Sequence, residues 1–93
     1  MGIFYVDGSF VEEDAAVVPL NDLALLRGYG VFDFMRTYGG RPFHLEDHLI
    51  RLQRSAQLLH LPFPWRLQEL SDIVYQTLAR NGYKESNVRL IVT

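Results

Sequence analysis

The sequence contains no cysteine, which excludes disulfide staples, thiol nucleophiles and cysteine-ligated metals. It has a single lysine, Lys84, set between Tyr83 and Glu85 in a polar stretch. A lysine there is expected to stay in water, whereas amine chemistry needs a desolvated one. Positive charge is not in excess either: 9 lysines and arginines stand against 11 acidic residues, for a net charge of −2. That removes any general pull toward nucleic acid or an anionic membrane surface. No apolar run approaches the length of a membrane span. The first residues lack a basic start followed by a long apolar segment, so no signal peptide is expected. With no cysteine to oxidise, a cytoplasmic setting is the simple expectation. Repeats, low-complexity tracts and linkers are also missing.

What is present is mostly apolar. The hydrophobic fraction is 48% and the aromatic fraction 13%, over 93 residues. That is one domain with a thin core. So much apolar surface on a short chain points to a second domain or subunit that covers part of it.

Residues 3–6 read as a strand, Asp7-Gly8 as a tight turn, and residues 9–11 as the start of the return strand. Residues 16–18 are expected to continue extended as far as Pro19. Asn21-Asp22 then opens a loop or helical turn through Leu26. Residues 31–38 read as the main strand. Phe32, Phe34, Arg36 and Tyr38 share one face; Val31, Asp33, Met35 and Thr37 share the other. Gly39-Gly40 makes a two-residue hairpin turn to a short partner strand over 41–43. A helix is expected over 45–59, with Leu45, Leu49, Leu52, Ala56 and Leu59 on one stripe and Pro62 and Pro64 beyond its end. A second helix covers 66–80, with Leu67, Leu70, Val74 and Leu78 inward and Asn81-Gly82 as its stop. Residues 88–93 form a last strand that ends without a stop signal, so Thr93 is read as a truncation point. Hairpins, two helices and a strand imply an α+β two-layer sandwich with a mostly antiparallel sheet.

Several residues could carry chemistry. Arg51 lies on the flank of the buried helical stripe, where a guanidinium can meet a phosphate or carboxylate. The plainer alternative is a surface ion pair with Asp47, four residues earlier. Arg36 shares a strand face with Phe32 and Phe34, so it either snorkels to water or aims at an anion. Arg89 falls between Val88 and Leu90 and poses the same choice, with the solvent face as the plainer reading. Gly28 and Gly30 flank Tyr29 and allow close approach of a ligand or backbone, with Arg27 just before them. The third glycine of a dinucleotide-binding loop is missing. His44 and His48 have a helical metal-ligand spacing, but no third ligand is evident. His60 reads as a helix-end residue, and Trp65 as packing over a helix end.

Together these parts resemble the N-terminal domain of the fold-type IV pyridoxal-phosphate enzymes. That family holds branched-chain amino acid aminotransferases, D-amino acid aminotransferases and aminodeoxychorismate lyases. The resemblance runs from Tyr5-Val6-Asp7-Gly8 to Thr93. Its specific parts are Gly30-Val31-Phe32-Asp33, Arg36 before Gly39-Gly40, and His48-Leu49-Ile50-Arg51-Leu52 followed by Ser55-Ala56. It implies that residues 1–93 are the small N-terminal domain of a class IV aminotransferase, with pyridoxal 5'-phosphate as cofactor. Arg51 would bind the cofactor phosphate, and Phe32 would line the substrate pocket. Arg36 and Arg89 match pocket arginines of branched-chain-type members. Arg27 stands where many members have an aromatic, and Asp33 where glutamate is commoner.

In such enzymes the Schiff-base lysine, and the acidic residue that pairs with the pyridine nitrogen, lie in a C-terminal domain with no counterpart here. The implied activity is amino transfer between an amino acid and a 2-oxo acid, by a homodimer. A branched-chain L-amino acid type leads, with a D-amino acid aminotransferase or a lyase as alternatives. A reading of another class is a small non-catalytic module that binds a phosphorylated ligand.

Overall fold

A computed structural model describes residues 2–22 and 26–93. The chain opens with a hairpin of strands β1 (Ile3–Val6) and β2 (Ser9–Glu12). Asp7 and Gly8 make the turn, both at positive φ (47° and 91°), the left-handed geometry that matches the twist of a hairpin. Tyr5 pairs with Phe10 across it, and their rings meet edge-on. A short 3-10 turn, Glu13–Ala15, follows. Residues 16–18 belong to no strand, contrary to the expected extension. The 3-10 turn carries the chain out of line with β2 before they begin. The expected turn through Leu26 lies partly outside the described residues, since 23–25 are not among them.

The second sheet has the order β4-β3-β5, all antiparallel: β3 (Val31–Tyr38), β4 (Arg41–Pro42) and β5 (Asn87–Val92). The strands therefore form two sheets rather than one. Each boundary falls within about a residue of the expectation; β4 stops at Pro42, and Phe43 donates its N–H back to the Arg36 carbonyl at 2.8 Å. Gly39 and Gly40 sit at φ 61° and 76°, as a two-residue hairpin requires.

Helices α1 (Leu45–Leu58) and α2 (Leu67–Asn81) cover one face of this sheet. Met35, Leu45, Leu49 and Val74 form the core, with Leu67, Leu70, Leu78, Val88 and Leu90 packed around it. Of the predicted stripe on α1, Leu45, Leu49, Leu52 and Ala56 are buried. Burying a leucine contributes about 2 kcal/mol. Leu59 is not buried, because α1 ends one residue early. His60 turns left-handed there (φ 56°), so the helix stops before it reaches the prolines. Gly82 ends α2 the same way, at φ 70°, donating its N–H to the Leu78 carbonyl at 3.1 Å. The Asn81 side chain then ties β1 to α2: its Oδ1 accepts the Ile3 N–H at 2.7 Å, and its Nδ2 donates to the Ile3 carbonyl at 2.9 Å.

Candidate functional site

Strand β3 organises the site because its two faces differ. Val31, Asp33, Met35 and Thr37 turn toward the helices, and Asp33 is only 3% exposed. A carboxylate at that depth needs charged or hydrogen-bonding partners. Arg51, from the middle of α1, supplies them: Nε donates to Oδ2 and Nη2 to Oδ1, both at 2.8 Å. His48, one turn earlier on α1, lies with Nδ1 2.5 Å from Oδ1, and the Phe34 backbone N–H donates to the same oxygen at 2.9 Å. The Arg51 bonds, followed by those from His48 and Phe34, hold the Asp33 carboxyl down to about 2, against the opposing cost of burial. The same pairing pushes the Arg51 guanidinium further above its ordinary value.

This geometry shows which carboxylate Arg51 pairs with. It does not pair with Asp47, whose carboxylate faces His44 Nδ1 at 3.5 Å. The buried carboxylate has far more to gain from a cation than the exposed one. Arg51 gives one edge of its fork to Asp33, and Nη1 lies outside that pair. The side chain is 65% exposed, so this remaining edge faces outward. An N–H edge free for a planar or tetrahedral oxyanion is the donor set a phosphate needs.

The opposite face of β3 is open. Phe32 is 63% exposed, and Phe34, Arg36 and Tyr38 are exposed beside it. On β5, Arg89 pairs across from Phe34, and Ile91 across from Phe32. The Arg89 guanidinium lies 5.6 Å from the Phe32 ring centroid and 5.7 Å from that of Phe34, within cation–π range. The structure thus brings Phe32, Arg36 and Arg89 onto one surface. Arg51 is attached to the other face of the same strand, next in chain to Phe32 through Asp33. Arg27 is exposed, and no described contact joins it to these residues.

A cleft of about 330 Å³ lies elsewhere, between the Gly39-Gly40 turn and the end of α2, lined by Thr37, Tyr75, Leu78 and Lys84 among others. Lys84 is exposed, as expected. Its neighbour Glu85 was not singled out from sequence, yet it clamps the hairpin. Its carboxylate accepts the N–H of Gly40 at 2.7 Å, that of Gly39 at 3.0 Å, and the Thr37 hydroxyl at 3.0 Å. The Gly40 amide does most to lower the Glu85 carboxyl below its ordinary value. Asp33 and His48 as holders of Arg51 were also missed. The available signal was the alternation itself, which put Asp33 on the core-facing side of β3. No group of three or more metal-ligating side chains occurs among the described residues. His44 instead stacks edge-on with Phe43, and Trp65 with Phe63.

The family model for class IV amino-transferases matches residues 30–93. A protein of Methanocaldococcus jannaschii, provisionally named as a branched-chain-amino-acid aminotransferase, is 40% identical over 96% of this chain and 31% of its own length. The chloroplastic D-amino-acid transaminase of Arabidopsis thaliana is 34% identical over 90% of this chain and 22% of its own. The branched-chain aminotransferase of the thermophilic archaeon Thermoproteus uzoniensis, solved with norvaline, superimposes with a TM-score of 0.90 at 35% identity. That match covers 97% of this chain and 32% of the other. The chain therefore spans a third or less of the length of these proteins. With its motifs on β3 and α1 inside the matched region, the chain belongs to the class IV aminotransferase family and corresponds to the N-terminal part of its members.

Proposed function

We propose that this domain is the N-terminal part of a pyridoxal-phosphate-dependent aminotransferase of the branched-chain type. The complete enzyme would move an amino group between an L-amino acid and a 2-oxo acid. The observation that carries this reading is the outward edge of Arg51, held by the buried Asp33 carboxylate. It fits the phosphate of the cofactor in charge, donor number and exposure. When bound, the cofactor supplies the electron sink for amino transfer. The residues of this chain would bind and orient. Arg51 would hold the phosphate, and Phe32 would form an apolar wall on the substrate side. Arg36 and Arg89 would meet a substrate carboxylate, and Arg27 would approach from the segment after the Asn21-Asp22 loop.

The lysine that holds the cofactor would come from a C-terminal domain. Lys84 is exposed beside the Gly39-Gly40 turn and does not suit the role. Exposed Leu20, Leu26, Phe32 and Ile91 give apolar surface for that domain and for a second subunit of a homodimer. The cytoplasm is the proposed setting; no helix among the described residues is long and apolar enough to cross a membrane.

The D-amino acid type is the second reading. The likeness to the plant D-amino-acid transaminase and the cationic Arg27, an additional candidate carboxylate partner, favour it. Donor choice on the natural full-length protein separates the two, with 2-oxoglutarate as acceptor. Turnover with L-leucine or L-valine supports the branched-chain reading. Turnover with D-alanine alone replaces it by the D-amino acid type. No transamination, with pyruvate released from aminodeoxychorismate, replaces it by the lyase.

A further inference from the structure

Arg51 is a long side chain on an exposed helix flank, 65% open to solvent. Left alone, such a side chain samples many rotamers and would have to be immobilised by each anion it met. Here it is not left alone. Asp33 belongs to β3, where it pairs with Leu90 in the six-residue ladder to β5, and its carboxylate is buried on the core-facing surface. The two parallel bonds from Nε and Nη2 set the plane of the guanidinium as well as its position. His48 and the Phe34 amide occupy Oδ1, so the carboxylate cannot swing away from that plane. The direction of Nη1 is therefore decided by β3, not by the anion.

We propose that Asp33 and His48 are positioning residues that aim the free edge of Arg51 at the cofactor phosphate. This rests on the reading of Arg51 as the phosphate ligand. The proposal makes a prediction opposite to simple electrostatics. A carboxylate beside the arginine cancels its charge, so on charge alone the removal of Asp33 would tighten phosphate binding. If orientation is what Asp33 supplies, its removal loosens phosphate binding.

The test uses the natural full-length protein and calorimetric titration with two probes, pyridoxamine 5'-phosphate and pyridoxamine. Their affinity ratio isolates the phosphate. Arg51→Ala comes first and is expected to collapse that ratio. A ratio left unchanged by Arg51→Ala removes the phosphate reading itself. With that reading standing, Asp33→Asn is expected to lower the ratio by about ten-fold, while pyridoxamine binds as before. His48→Leu, which leaves Asp33 paired with Arg51, is expected to lower it by roughly three-fold. A folded Asp33→Asn protein with an unchanged or raised ratio overturns the proposal. If circular dichroism shows that Asp33→Asn is unfolded, His48→Leu decides: a lowered ratio supports positioning, and an unchanged one overturns it.

Discussion

Two carboxylates clamp the two ends of β3, and they do so by different means. Asp33, near the start, is buried and takes a cation from α1. Glu85, from the loop after α2, is exposed and takes neutral amides and a hydroxyl from the Gly39-Gly40 turn. The contrast follows from solvent. A buried charge without a partner is costly, so its partners are bound tightly and are hard to remove. An exposed charge keeps water as an alternative, so its protein bonds contribute less. The same difference separates their uses: the Asp33 end presents an arginine edge outward, and the Glu85 end only shapes a turn.

Removing the Asp33 charge tests the comparison most severely. Asp33→Asn is expected to cost about 2 kcal/mol at neutral pH, from the depression of its carboxyl from 3.8 to about 2. Because that value is lower in the folded chain, the contribution is present above the ordinary carboxylate range. It is lost as pH falls from about 4 to about 2. Urea midpoints across that window would check it, and the Asp33→Asn protein should show a flatter acid limb.

At the other end, Thr37 is buried, and its hydroxyl joins Glu85 to the backbone of Ser86. Thr37→Val should cost about 1–2 kcal/mol in the same urea unfolding. A loss larger than that of Asp33→Asn would reverse the ranking of the two clamps. Gly39→Ala probes the turn itself. The added Cβ would meet nothing within 4 Å, so only the positive φ is penalised, by about 1 kcal/mol. Lys84→Ala, beside the exposed clamp, should leave the thermal midpoint unchanged; a clear drop would show that the loop depends on more than Glu85.

Much of the fold was legible residue by residue. Alternation separated the two faces of β3, and the glycine pair located its turn. The apolar stripes located both helices to within about a residue. The face with Phe32 and Arg36 was legible for the same reason, since strand geometry alone puts every second side chain on one side; that Arg89 joins it was decided by the pairing of β3 with β5. The partner of Arg51 was not. Asp47, four residues away, was the nearest local candidate, and the structure chose Asp33, which is 18 residues away. The end of α1 was misjudged by one residue because a histidine, not a glycine or proline, adopts the left-handed stop.

The sequence by itself thus determined both hairpins, the last strand, the two helices and the apolar stripe of each helix. These follow from periods of 2 and 3.6 and from backbone freedom at a few residues. It also carried the family motifs. Tertiary structure alone decided the two-sheet division, the Asn81 tie to Ile3 across 78 residues, the Glu85 clamp across 45, and the Asp33–His48–Arg51 cluster. Each of these joins groups far apart in the chain. A carboxylate's partner is set by which cation packing delivers to its depth, and no local pattern encodes that depth.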